Sequence, residues 1–310
     1  MAKPVQQNTR SPWLIIIIIL AVLTVFSIGV VGCVGVLVAS DGIETGNVAV
    51  IPLKGIIVVD SNAGLFSTGY AVSTDVVEQI EKAEKDDTIK AIVLDINSPG
   101  GSPVASAEIA RAISEAEKPT VALIREYGAS GAYWIASSAD HIIANEVSVT
   151  GSIGVIASYL QYSELMERYN VSYERFIAGE HKDMGSPYRE MTSEEKAIYQ
   201  NVLDKMRGVF IREVAQNRGL EYDYVEELAT GQIYLGIDAL NFGLIDELGG
   251  KKEAYKHIET LLDIKVRPVE FSTEKSFLEM LASAMDDTAF NMGTGIGAVL
   301  VEENNGGIKI

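Results

Sequence analysis

Apolar positions follow two regimes along this chain. Trp13 to Ala39 is a single run of 27 residues without a charge, including the stretch Ile15 to Leu20. From Val48 onward, short β-branched runs alternate with stretches of helical period instead. The first regime is long enough to span a bilayer with tilt to spare. Lys3 and Arg10 precede it and no acidic residue appears before Asp41. The positive-inside rule therefore puts the N-terminus in the cytoplasm and everything after Ser40 outside, with Trp13 at the interface. A competing reading is a cleaved signal, because Val30-Val31-Gly32-Cys33 resembles a lipobox. The apolar run continues past Cys33 and exceeds the usual signal-peptide core, which favours an anchor.

The second regime reads as βαβ units around a mostly parallel, buried sheet. Candidate strands are Val48 to Ile57, Ile89 to Ile96, Thr120 to Ile124 and His141 to Ala144. A helix is expected from Thr74 to Lys85, with Ser73 as N-cap and Val76, Val77 and Ile80 on one face. Another is expected from Val104 to Ala116, where Pro103 suits the first turn, and a long charged one between Ser193 and Asn217. No linker is evident before Arg267, so one catalytic domain is expected. The tail from Phe271 reads as a surface helix and a frayed end.

Composition narrows the chemistry. A net charge of −18 opposes nucleic-acid binding, since such a surface repels phosphate. One cysteine excludes an intramolecular disulfide, and three scattered histidines leave no metal-site spacing, so neither a metal nor another cofactor is expected.

Two glycine-rich elements follow strands: Asn97-Ser98-Pro99-Gly100-Gly101-Ser102 and Gly128-Ala129-Ser130-Gly131-Ala132-Tyr133-Trp134. Loops at the carboxyl ends of strands are where open α/β sheets bind ligands, and glycine lets backbone N–H groups approach them closely. Ser130 is placed like a nucleophile on a strand-to-helix turn, and the first loop could supply an oxyanion hole. GASGA nearly matches the nucleophile elbow but is one glycine out of register, and NSPGGS lacks the ending of a phosphate loop.

A serine nucleophile needs a base. His141 lies on an apolar strand, and His257 in a charged helical stretch reads as solvent-facing. His181 and Lys182 are adjacent on a loop, and one of them is the plausible partner. A lysine serves only when neutral, which requires burial and positive neighbours.

The ordered set NSPGGS, ASGAYW, TGSIGV, GEHKD and ATGQIYLGIDALNFGLIDELGG resembles the signal peptide peptidase A family, over about two-thirds of the chain. The resemblance implies a Clp-protease or crotonase-like superhelix of ββα units behind one N-terminal transmembrane helix. It implies a ring-shaped homo-oligomer with active sites between protomers, acting on hydrophobic peptides such as remnant signal peptides. By motif, Ser130 takes the nucleophile position, Lys182 the general base, Ser152 the hydroxyl that positions the lysine, and Gly101 and Gly131 the oxyanion hole. The related Clp protease carries its histidine where this chain has GSIGV, which favours Lys182 over His181. Ala132 and Trp134 depart from the glycine and tyrosine of many relatives and put pocket shape in doubt.

The expected layout is a cytoplasmic N-terminus (1–11), a membrane anchor (12–39), a linker (40–46), a serine peptidase domain (47–270) outside the cell membrane, and a tail (271–310). Two alternatives stand beside it: an inactive membrane scaffold of the same fold, and a crotonase-type acyl-CoA enzyme.

Overall fold

The computed structural model describes residues 46–60 and 69–271, together with Leu20, Thr24 and Val25. The expected anchor, apart from those three helical residues, and the tail beyond Phe271 lie outside the described residues. Among the described residues, no helix is long and apolar enough to cross a membrane.

The strands are β1 (Val48–Lys54), β2 (Ile56–Val58), β3 (Tyr70–Val72), β4 (Ala91–Ser98), β5 (Thr120–Ala129), β6 (His141–Ala144), β7 (Val149–Gly151), β8 (Ile233–Leu235), β9 (Glu247–Leu248) and β10 (Pro268–Glu270). The helices are α1 (Ser73–Lys85), α2 (Pro103–Ser114), α3 (Gly131–Ser137), α4 (Ser163–Arg168), α5 (Ser193–Arg218), α6 (Tyr222–Leu228), α7 (Gly236–Asn241) and α8 (Lys251–Leu262). The main sheet runs β10-β1-β4-β5-β6-β9 with every neighbour parallel. Beyond β6, the carboxyl end of β5 pairs with β7, and antiparallel β8 makes the sheet mixed.

Alternation along β1 sets the layers. Ala49, Ile51 and Leu53 face a core shared with α1, α2, α3 and α5, while Val48 and Val50 face Ala254 and Ile258 of α8. Both faces are covered, so central strands read as continuous apolar runs.

Local chemistry moves several boundaries. The strand expected from Val48 to Ile57 breaks at Gly55, whose φ is +81° and where a Cβ would lie 2.0 Å from the Gly69 carbonyl oxygen. Beyond that break, β2 joins β3 in a separate two-stranded sheet. The first helix begins at Ser73 itself, with Val72 in the cap position. Ser73 does not cap because its hydroxyl donates to Glu108 on α2 at 2.6 Å. Ser102 caps α2 ahead of Pro103, and Thr192 forms a full capping box with Glu195 on α5.

Candidate active site

Sheet register brings the two glycine-rich loops together. Ile92 to Ile96 pair in parallel with Thr120 to Ile124, the register then shifts, and Ser98 pairs with Gly128. The extra residues on β5 form an irregularity of the kind that re-aims a strand end. At that end Ser130 has φ 54° and ψ −126°, a conformation few non-glycine residues adopt. Its N–H donates to the Gly151 carbonyl at 2.8 Å, and its carbonyl accepts from Trp134 N–H at 3.0 Å as α3 begins. The hydroxyl makes no capping bond to the helix and is left for other chemistry.

The loop after β4 presses directly on this turn. A Cβ on Gly100 would lie 2.8 Å from the Gly131 nitrogen and 2.9 Å from the Ser130 Cβ. One on Gly101 would lie 2.0 Å from the Ile57 carbonyl oxygen. Two bonds pin the loop, Ile57 N–H to Gly100 at 3.0 Å and Ser102 N–H to Ile57 at 2.8 Å. Neither the Gly101 nor the Gly131 N–H donates to a protein backbone acceptor among the described residues. Two amides are therefore available beside Ser130, one of them at the first turn of a helix. Gly100, not singled out from sequence, is as constrained as Gly101. Its signal was the diglycine itself.

Ser152 follows immediately from the β5–β7 pairing of Ala129 with Gly151. It also has a positive φ, 52°, and its N–H donates to Gln232 at 2.8 Å. Ser130, Gly101, Gly131 and Ser152 thus converge at one end of the sheet.

Lys182 is exposed in a turn of the long segment between Ser152 and Thr192. Its backbone N–H donates to Gly179 at 3.2 Å, and its ammonium makes no hydrogen bond to Ser130 or Ser152 among the described residues. Its neighbour Asp183 is gripped by Arg189 through Nη2 at 2.7 Å and Nε at 2.8 Å, and also pairs with Arg175. Arg189 continues to Glu195 on α5 with contacts of 2.7 Å and 2.5 Å. The Arg189 guanidinium, seconded by Arg175, holds the Asp183 carboxyl well below the usual carboxylate range. Arg189, with the Thr192 N–H, holds Glu195 down at about 2.

The other candidates resolve differently. His141 and His257 stack on each other with centroids 3.7 Å apart, His141 at the amino end of β6, so they sit at the opposite end of the sheet from Ser130. His257 is therefore half-buried against His141, not solvent-facing, because its helix packs Ala254 and Ile258 onto the sheet. His181 is exposed beside Lys182. Ala132 and Trp134, the two departures that put pocket shape in doubt, are buried in the core, where Trp134 stacks on Phe210 at 4.8 Å. Between them Tyr133 is fully buried and donates to the Leu244 carbonyl at 2.8 Å.

Comparison with known proteins finds peptidase families and relatives. Residues 112–265 match the model of peptidase family S49, and residues 65–145 match that of Clp protease. "Putative protease MJ0651" of Methanocaldococcus jannaschii is 36% identical over 76% of this chain and 76% of its own length. "Putative signal peptide peptidase SppA" of Enterococcus faecium is 34% identical over 69% of this chain and 63% of its own length. Protease 4 of Haemophilus influenzae is 30% identical over 78% of this chain, which spans 40% of that relative. A Clp-protease-like α/β fold, a serine on a strained strand-to-helix turn and these matches together place the chain in peptidase family S49, the signal peptide peptidase A family of serine peptidases.

Proposed function

We propose that this chain is a membrane-anchored endopeptidase that cleaves hydrophobic peptides with a Ser-Lys dyad, Ser130 as nucleophile and Lys182 as general base. The observation that carries the reading is Ser130 itself, held at φ 54° on a turn against which the Gly100-Gly101 loop packs. A strained, unengaged hydroxyl flanked by two backbone donors is what acyl transfer requires. Ser130 Oγ attacks the peptide carbonyl while neutral Lys182 takes its proton. The two amides stabilise the oxyanion, one such donor being worth about 3 kcal/mol of barrier. Lys182 then protonates the leaving amine and activates the water that releases the acyl group, with Ser152 orienting its amine.

Elimination narrows the base to the loop of His181 and Lys182, since His141 and His257 are stacked together at the far end of the sheet, and the family resemblance favours the lysine. Lys182 is exposed in the single chain, and a lysine base must be desolvated. Assembly into a ring, with Lys182 buried against a neighbour, meets that need. It is supported by the exposed apolar side chains along the same segment, among them Ile156, Leu160, Tyr169 and Phe176, the last 95% exposed. Anchoring by residues 13–39, with the catalytic domain on the extracytoplasmic side of the cell membrane, rests on the charge-free run and its flanking charges. Substrates such as remnant signal peptides are suggested by the name of the Enterococcus relative.

The test is cleavage of an apolar fluorogenic peptide by the detergent-solubilised full chain. Ser130→Ala and Lys182→Ala each abolish turnover, while His181→Ala retains it. Full activity in Lys182→Ala, or loss of activity in His181→Ala alone, overturns the assigned base.

A further inference from the structure

At the end of the sheet away from Ser130, two histidines remote in sequence and two adjacent carboxylates are brought side by side by the fold. His141 opens β6 and Glu247 opens β9, and these strands pair with Ile143 opposite Glu247. His257 comes from α8, whose Ala254 and Ile258 pack on the same sheet face as Ile143. One ligating atom each from His141, Glu247 and His257 lies within 4.8 Å of the others. None of this serves the peptidase chemistry, since Val121 pairs with His141 whereas Ser130 follows the far end of the same strand.

We propose that His141, His257 and Glu247 form a binding site for a single divalent transition-metal ion of the zinc class.

The donor set fits that class. Two imidazoles and one carboxylate suit Zn²⁺, Co²⁺ or Ni²⁺, whereas Mg²⁺ and Ca²⁺ prefer all-oxygen sites. The two nitrogens of His141 are already differentiated. Nε2 lies 3.3 Å from the Glu247 carboxylate and so faces the cluster. Nδ1 faces Asp246 at 4.0 Å. Asp246 is fixed by Arg218 at 3.0 Å and by the Ile142 N–H at 2.8 Å. At 4.0 Å this carboxylate is beyond hydrogen-bond reach but stands on the side from which an outer carboxylate fixes the tautomer of a ligating histidine.

His257 lies half-buried on α8 beside the His141 ring. Its ring makes no hydrogen bond among the described residues, stacking on His141 with an interplanar angle of 10°. An ion with bonds of about 2.0–2.1 Å draws its ligand atoms to roughly 3.3 Å from one another. The cluster therefore closes by a modest convergence of three side chains, with the two rings tilting out of their parallel stack. Each of the three is partly exposed, leaving room for that tilt and for a water in the fourth position. The bound ion would tie α8 to the short β6–β9 edge.

The test is titration of the full chain, stripped with chelator, with Co²⁺ and Zn²⁺. One Co²⁺ binds per chain with a visible spectrum of nitrogen and oxygen ligation, lacking the thiolate charge-transfer band that Cys33 would give. His257→Gln and His141→Gln each weaken Zn²⁺ binding at least tenfold, Glu247→Gln weakens it less, and His181→Ala leaves it unchanged. Zn²⁺ also raises the unfolding temperature of the wild type and not of His257→Gln, whose metal-free unfolding temperature serves as the folding control. Binding that survives His257→Gln, that needs His181 or Cys33, or that is no tighter than millimolar overturns the site.

Discussion

Arg189 shows how much one side chain can organise at a distance from the chemistry. Four of its hydrogen bonds reach Asp183, the residue after the proposed base, and Glu195, the third residue of α5, and a fifth goes to the Glu190 carbonyl. Asp183 and Glu195 are both well shielded by their neighbours, so the fork spans two desolvated carboxylates. A pH dependence follows. Glu195 has an ordinary value of 4.5 and is lowered to about 2. A carboxyl lowered on folding contributes stability that is fully present above its unfolded value and is lost as pH falls through its folded one. The stability gap between wild type and Arg189→Met is therefore constant above about pH 4.5 and narrows as pH falls toward 2. Urea midpoints across that range measure it. A gap that stays constant down to pH 2 would show that these ion pairs do not control the segment. The variant also loosens the turn around Lys182, seen as faster amide exchange at 178–189.

At the scale of elements, local pattern carried most of what mattered for the site. The runs at Ile89 to Ile96 and Thr120 to Ile124 could be seen as buried strands because both their faces are covered. The two glycine loops were legible because each follows such a run. What escaped was whatever depended on a partner remote in sequence. Ser73 reads as a cap, yet its hydroxyl is claimed by Glu108 on the next helix. The break at Gly55 is dictated by close approach of the Gly69 backbone. His141 and His257 looked like a strand residue and a helix residue, and only the β6–β9 pairing and the packing of α8 make them neighbours. The capping box of α5, by contrast, is purely local. Thr192 accepts from the Glu195 N–H at 3.2 Å while Glu195 accepts from the Thr192 N–H at 2.9 Å. Thr192→Ala removes one half of it and lowers unfolding stability by about 1 kcal/mol, whereas Thr192→Ser restores most of the loss. Equal midpoints for Ala and Ser in chemical unfolding would mean that the helix start is held by Arg189 alone.

For the molecule as a whole, the proposed dyad requires that an exposed lysine become a base. Ser130, its two amides and Ser152 are assembled by the sheet, whereas Lys182 sits on a segment whose apolar side chains face outward. Such a surface on a chain with net charge −18 is hard to account for in a free monomer, because charge keeps monomers soluble while contiguous exposed apolar groups seek a partner. If each site in a ring takes its serine from one protomer and its lysine from the next, two inactive variants can repair each other. Mixing equal amounts of Ser130→Ala and Lys182→Ala chains, with exchange of protomers, leaves an intact serine beside an intact lysine at about one site in four under a cyclic arrangement. Activity should recover to about a quarter of wild type, and it should rise and fall with the product of the two fractions as their ratio is varied. A dyad contained within one chain leaves every site of the mixture broken, and activity stays at the background of either variant. The result separates the assignment of the two residues, which the single variants test, from the arrangement that lets them meet.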